Sequence, residues 1–307
     1  MKIAYFGLPL GALVLAADDR KLGPVVLSPV DAPGRWRLGK QFPQLIDARQ
    51  AGSELDAQVD QALARERPDL LVSWFWTRKL PARWLDAAPL GALGVHPSLL
   101  PRHRGPNPYF WSIDAGDDVT GVTVHRLNEE YDTGKLLGSR SIAVGSRNAW
   151  QLARALDRPS LSLLRETVAR LAGGESPAEL PQDESQATWA PEPSGDELKV
   201  DFGWTTERVL RRIRALSPTP GVALEIEGVA LFVTGAEPTR DYVAALLPGE
   251  AQLSAAVTLR TADGAVTVTR AFFPETETEA SGENGEDAAE GTDPASVLRL
   301  LKRGGRP

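Results

Sequence analysis

The chain has 307 residues, 42% of them hydrophobic and 24% charged, with no Cys and a formal net charge of -7 at pH 7. Zero Cys excludes disulfides, thiolate zinc sites, iron–sulfur clusters and a Cys nucleophile. A length of this order suggests two domains of roughly 100–200 residues, and with no apolar run approaching about 18 residues no membrane helix is expected. Eight acids and no base lie between Pro274 and Pro294. Without them the balance moves from -7 to +1, so the acidity belongs to one segment, 275–293, which is expected to be a disordered surface insertion.

The first residues, MKIAYFGLPLGALVLAADDR, carry the apolar character of a signal peptide. Gly7, Pro9 and Gly11 break that run and acids follow at once, so strand, turn and helix is the reading, and a cytoplasmic protein is expected. Strands are expected at Lys2–Phe6, Pro24–Val30, Asp69–Phe75 and Leu90–Val95, with helices at Leu10–Ala17 and Glu54–Arg65 between them. Such alternation argues for an α/β fold, a mainly parallel sheet covered on both faces. Two further strands are expected at Gly121–Leu127 and Lys135–Val144. A long helix follows from Ala149, with Asn148 as its cap and Gly173-Gly174 at its end.

Residues 176–197 are rich in Pro, Glu and Ser and read as an interdomain linker between a domain at 1–175 and one at 198–307. Thr205–Leu216 is an amphipathic helix carrying Arg208, Arg211, Arg212 and Arg214. The segments VALEIEG, VALFVTG, AAVTLRT and AVTVTRAFF then alternate, with hairpin turns at Glu227-Gly228 and Asp263-Gly264. A short helix starting at Pro294 closes the chain.

Ligands of parallel sheets bind beyond the carboxyl ends of the strands. The loop GLPLG after the first strand has neither a dinucleotide nor an NTP glycine pattern. The fourth strand ends at His96 and runs into a loop with Pro97, Pro101 and three cations, and a downstream loop carries Asp132. A strand-end His and a neighbouring Asp suit general acid–base chemistry, although each also has an ordinary structural reading. His103 and His125 share no metal-ligand spacing with His96, and no metal is expected.

The segments HPSLLPRHRG (96–105), TGVTVHRL (120–127) and DTG (132–134) resemble the signature of 10-formyltetrahydrofolate-dependent formyltransferases, the methionyl-tRNA formyltransferase family among them. MKIAYFG resembles the family's opening strand, and DAPGRWRLGK (31–40) its basic loop. VDFGWTTERVLRRIRALSPTPG (200–221) resembles the start of its C-terminal domain. The resemblance implies a Rossmann-like catalytic domain followed by a small OB-like β-barrel. It implies formyl transfer from 10-formyltetrahydrofolate to a primary amine, with His96 and Asp132 as the relay. It also implies folate contacts at Ser98, Leu99, Leu100 and Pro101, with Phe75 in the pocket wall formed by SWFWTRKLP (73–81), and tRNA contacts at Arg35, Arg37 and Lys40.

The family pairs its His and Asp with an Asn two residues before the His, and that position here is Gly94. Three readings stay open: Asn107 swings in as the donor, a water fills the space, or formyl transfer is lost. Asn107-Pro108 also suits a helix start. Arg102, Arg104 and the four Arg of 208–214 would add to a basic footprint for tRNA or form a mixed-charge surface. The expected protein is a monomer that binds folate, acts on tRNA, and binds neither membrane nor DNA. The alternatives are an amino-sugar-nucleotide formyltransferase and a catalytically impaired relative that only binds folate or RNA.

Overall fold

A computed structural model describes residues 1–274 and 294–302. The acidic segment expected at 275–293 therefore lies outside the described residues. In chain order the elements begin β1 (Lys2–Gly7), α1 (Pro9–Ala17), β2 (Lys21–Leu27), α2 (Arg35–Gln41), β3 (Ile46–Asp47), α3 (Ala48–Ala51) and α4 (Leu55–Glu66). They continue β4 (Leu70–Trp74), α5 (Ala82–Leu85), β5 (Ala92–His96), α6 (Pro108–Asp114), β6 (Val119–Arg126), β7 (Leu136–Ala143) and α7 (Ala149–Ala172). The chain then forms α8 (Thr206–Ala215), β8 (Val222–Ile226), β9 (Val229–Thr239), β10 (Ala251–Leu253), β11 (Val257–Arg260), β12 (Ala265–Phe272) and α9 (Pro294–Lys302).

The first sheet has seven strands in the order β3-β2-β1-β4-β5-β6-β7. The pairings from β3 through β5 are parallel, and β6 and β7 add on antiparallel. The sequence explains the centre: β1 and β4 are continuous apolar runs, and Ile3, Ala4, Tyr5, Phe6, Leu70, Leu71 and Val72 are fully buried. A strand covered on both faces needs apolar side chains on both. Trp74 is core too, 1% exposed, with its indole N–H donated to Ser160 Oγ at 3.0 Å.

The chain divides into two compact units, and the division does not follow chain order alone. The first holds Met1–Pro108, Val119–Ala143 and Arg154–Pro191; the second holds Tyr109–Asp118, Val144–Ala153 and Glu192–Pro307. The second unit's sheet is antiparallel, in the order β10-β11-β12-β9-β8. Glu227 and Gly228 turn β8 into β9 with φ of 52° and 76°, the left-handed pair that a two-residue hairpin requires. Asn148 caps α7 as expected, its Oδ1 accepting from the Gln151 N–H at 2.8 Å while Gln151 Oε1 accepts from the Asn148 N–H at 3.1 Å.

Within the second unit the Arg of α8 have partners of their own. Arg208 and Arg212 both grip the Asp114 carboxylate. Arg212 also donates to the carbonyls of Asp196, Glu197 and Lys199 at 2.8–3.0 Å. Arg211 pairs with Glu207 at 2.7 Å, and burial lowers the pKa of Arg214. Arg208 and Arg212 thus tie α8 to Asp114, and Arg212 ties it to the 196–199 segment. Among the described residues no helix is long and apolar enough to cross a membrane.

Candidate active site

β5 delivers His96 as its last residue, buried at 6% exposure, where the parallel part of the sheet ends. The loop that follows is held by β6. Thr123 Oγ1 donates to Ser98 O at 2.7 Å and accepts from the Leu100 N–H at 3.1 Å. Ser98 Oγ closes the turn on Arg102 O at 2.6 Å. In the antiparallel register Gly94 faces His125 and His96 faces Thr123. Because side chains alternate along a strand, all four positions lie on one face.

Asp132 reaches this face from the loop after β6. It sits at a φ of 55°, a left-handed conformation that Asp tolerates better than most residues. Gly134 completes the turn, because a Cβ there would collide with the Arg126 carbonyl. The Asp132 carboxylate accepts from the Gly105 N–H at 2.9 Å. It lies 3.4 Å from His96 Nδ1 through Oδ2 and 3.5 Å from His125 Nε2 through Oδ1. One carboxylate is thus shared by two imidazoles.

The proton positions follow from the other ends of the rings. His96 Nε2 is 2.7 Å from His103 O, and His125 Nδ1 is 2.8 Å from Arg126 O. A carbonyl oxygen only accepts, so each of those nitrogens carries a hydrogen. Each ring therefore presents its second nitrogen to Asp132. Both separations exceed the ~2.7–2.9 Å of a charge-assisted hydrogen bond. Burial lowers the pKa of His96, with His125 adding to the effect, and outweighs the pull of Asp132 and the His103 carbonyl. Burial pushes Asp132 the other way, but His96, His125 and the Gly105 N–H outweigh it and hold the carboxyl far below the ordinary range. The cluster is a carboxylate with room for a proton on either side.

The segment expected as a linker is part of the site's framework. His103 N–H donates to Thr188 Oγ1 at 2.8 Å, Arg104 N–H to Thr188 O at 2.9 Å, and Ala190 N–H to Arg104 O at 2.6 Å. Gln182 Nε2 donates to the carbonyls of Asp132 and Gly134, both at 2.7 Å. Arg104, 7% exposed, is held by Gln182 and Glu184 at 2.7–3.1 Å, so it is an internal strut. At the rim, Tyr131 and Trp189 are 43% and 52% exposed, with ring centroids 6.1 Å apart.

The other expected residues divide. Ser98 and Leu100 are buried and shape the loop, while Leu99 and Pro101 keep partial exposure. Phe75 stacks on Trp74 with centroids 4.5 Å apart. Trp76 lines a cavity of about 400 Å³ together with Arg78, Lys79, Trp84 and Glu129, and its buried indole N–H has no partner among the described residues. Asn107 leads into α6, its backbone N–H donated to Ala190 O at 3.0 Å. The basic loop is a helix, α2. Arg35 is not free there, because it pairs with Asp47 at 2.8 Å and donates to Ser28 O and Val30 O. Arg37 and Lys40 are exposed, and Lys40 Nζ sits 3.8 Å from the centroid of Trp36. Sequence reasoning missed His125 and Gln182 as members of the site. The seven-residue spacing of His125 and Asp132 gave no local signal, because it is the return of the loop after β6 that brings the carboxylate to the imidazole. Among the described residues no group of three or more His, Asp or Glu is arranged to hold a metal ion.

An imidazole–carboxylate cluster at a strand end of a mixed α/β sheet has the form of an enzyme site suited to general acid–base chemistry. Family models agree: "Formyl transferase" matches residues 20–155, and "Formyl transferase, C-terminal domain" matches residues 194–283. A methionyl-tRNA formyltransferase from Solibacter usitatus is 30% identical over 278 residues, 87% of this chain and 89% of that one. The chain belongs to the formyltransferase family. HypX from Aquifex aeolicus in complex with tetrahydrofolic acid aligns with a TM-score of 0.66 at 21% identity, over 99% of this chain and 48% of HypX. An N-formyltransferase from Helicobacter canadensis, in complex with folinic acid and dTDP-3-aminofucose, gives 0.66 at 13% identity, over 89% of this chain and all of that one. At those identities the two structures speak to the fold alone.

Proposed function

We propose that the protein transfers the formyl group of 10-formyltetrahydrofolate to the amine of an aminoacyl-tRNA. The observation that carries the reading is the buried carboxylate shared by His96 and His125 at the end of β5. The amine attacks the formyl carbon, the bond from that carbon to the folate nitrogen breaks, and the proton lost by the amine returns to that nitrogen. Asp132 with His96 is suited to carry this proton. A proton placed between Nδ1 and Oδ2 makes this contact a charge-assisted hydrogen bond. The donor's ring system suits the cavity beside Trp76. A volume of about 400 Å³ is in the range of ligand pockets, the unpartnered indole N–H offers a donor, and Arg78 and Lys79 suit an anionic tail.

Methionyl-tRNA as acceptor is supported by the full-length relatives of that name, by the matching C-terminal model and by the exposed Trp36, Arg37 and Lys40 on α2. Single-turnover transfer from 10-formyltetrahydrofolate to methionyl-tRNA tests it, with a dTDP-amino sugar as competitor. Transfer to the sugar alone would replace this reading with that of a sugar N-formyltransferase, the acceptor class of a structural neighbour.

A further inference from the structure

Two exposed rings stand beside the buried carboxylate, and the inference they carry rests on the formyl-transfer reading with tRNA as acceptor. Tyr131, 43% exposed, is the residue before Asp132. Trp189, 52% exposed, lies against Gly105, whose N–H donates to the Asp132 carboxylate at 2.9 Å. A Cβ at position 105 would sit 3.0 Å from both Cη2 and Cζ3 of the indole, so a glycine there is what lets the ring approach so closely. Backbone bonds on either side of Trp189 fix its place: Arg104 N–H donates to Thr188 O at 2.9 Å, and Ala190 N–H to Arg104 O at 2.6 Å. The planes of the two rings meet at 56° with centroids 6.1 Å apart, so they do not stack on each other and leave ring surface open to a third.

The covalent order of the acceptor says what that third ring is. In an aminoacyl-tRNA only the ester and one ribose separate the reacting amine from the 3′-terminal base, so an amine brought to Asp132 brings that base to the rim of the site. The 3′ end is single-stranded, and an unpaired base stacks on aromatic side chains whatever its identity. Lys79, which lines the cavity given to the donor, has its Nζ 5.9 Å from the Tyr131 centroid. Tyr131 therefore borders the donor's cavity, while Trp189 borders Gly105. We propose that Trp189, flanked by Tyr131, is the platform on which the 3′-terminal base of the acceptor stacks, which holds the amine in position for attack. The rings exchange no proton and form no bond; both are positioning residues.

The test measures kcat/KM for formyl transfer to methionyl-tRNA and to the same tRNA with an abasic 3′-terminal ribose, by wild type, Trp189→Ala, Trp189→Phe and Tyr131→Ala. Calorimetric binding of tetrahydrofolate serves as the fold control. Removing the base is expected to cost wild type about ten- to a hundredfold, the effect of one base–aromatic stack. Trp189→Ala is expected to lose a similar factor with intact tRNA and nothing further with the abasic one, because each change removes the same contact. Trp189→Phe, which keeps a ring, is expected to recover most of the loss, and Tyr131→Ala to show a smaller loss coupled to the base in the same way. Equal losses on both acceptors in Trp189→Ala would make the ring a structural element and overturn this inference alone, as would a wild type indifferent to the missing base. Should Trp189→Ala lose tetrahydrofolate binding, the wild-type preference for the intact end and its reduction in Tyr131→Ala decide in its place. A wild type inactive with every amine, or active on a dTDP-amino sugar alone, would overturn the functional reading and this inference with it.

Discussion

Gln182 holds Asp132 from 50 residues further along the chain, donating from Nε2 to the Asp132 carbonyl at 2.7 Å. The same nitrogen donates to Gly134 O, and Oε1 accepts from Arg104. One amide side chain thereby joins the carboxylate's turn to the loop that begins at His96. Gln182→Ala leaves these buried or half-buried groups without partners, at a cost of about 1–3 kcal/mol. Urea unfolding should register that loss. If Gln182 positions Asp132, kcat falls about tenfold while KM for the folate stays put. Unchanged kcat in a folded variant would reduce Gln182 to a stability role.

The depressed pKa values of His96 and Asp132 act on stability in one direction. The folded state releases protons that the unfolded chain would hold, so stability is present at neutral pH and falls as the medium becomes acidic. For His96 the loss begins near pH 6.5, and for Asp132 near 3.9, the ordinary values of the two groups. Thermal denaturation between pH 7 and 5 should show a falling midpoint for wild type and a flatter one for His96→Gln. Identical slopes would assign the acid sensitivity elsewhere.

Activity should follow the same cluster. Asp132→Asn keeps the shape but not the charge, and is expected to cost about 10²–10⁴ in single-turnover rate, the span of a general acid–base contribution. The acid limb of kcat/KM should lie below the ordinary imidazole value, because burial lowers the His96 pKa. A wild-type rate in Asp132→Asn would remove the carboxylate from the reaction.

Asp114 is 5% exposed, and Arg208 and Arg212 both pair with it. Burial raises its pKa, but the hydrogen bonds from Arg212 and Arg208 outweigh burial and lower it. Asp114→Ala strands two guanidinium groups and should destabilise the second unit by about 3–5 kcal/mol. The denaturant midpoint measures this. A shift below 1 kcal/mol would mean that the three carbonyl bonds of Arg212 suffice to hold it.

If tRNA is the acceptor, α2 should touch it. Trp36 is 75% exposed with Lys40 over its ring, an arrangement suited to an unpaired base, which is worth about 1–3 kcal/mol of stacking. Trp36→Ala should raise KM for methionyl-tRNA roughly tenfold or more and leave tetrahydrofolate binding unchanged. Replacing Arg37 and Lys40 with Gln should lower the salt dependence of tRNA binding. Equal KM and salt slope in these variants would move the tRNA contact off α2.

The strands and long helices were legible in the sequence because their causes are local. An unbroken apolar run such as DLLVSWF has to become a doubly covered strand, the Asn148 cap and Gly173-Gly174 stop bound α7, and Glu227-Gly228 supplies the turn that only left-handed residues make. The resemblance carried by HPSLLPRHRG and DTG brought His96 and Asp132 forward as a pair, and the fold sets them 3.4 Å apart. What the tertiary structure decided is non-local. A charge read along the chain says nothing of its partner, so Arg35, Arg104, Arg208 and Arg212 looked available until Asp47, Glu184 and Asp114 were seen beside them. The 176–197 stretch read as a tether because polar, Pro-rich sequence lacks periodicity, yet it is bonded to 101–107, in part through backbone groups that carry no side-chain signal. Likewise Gly94 read as a loss along the chain, and only the register of β5 against β6 puts His125 in the space it leaves.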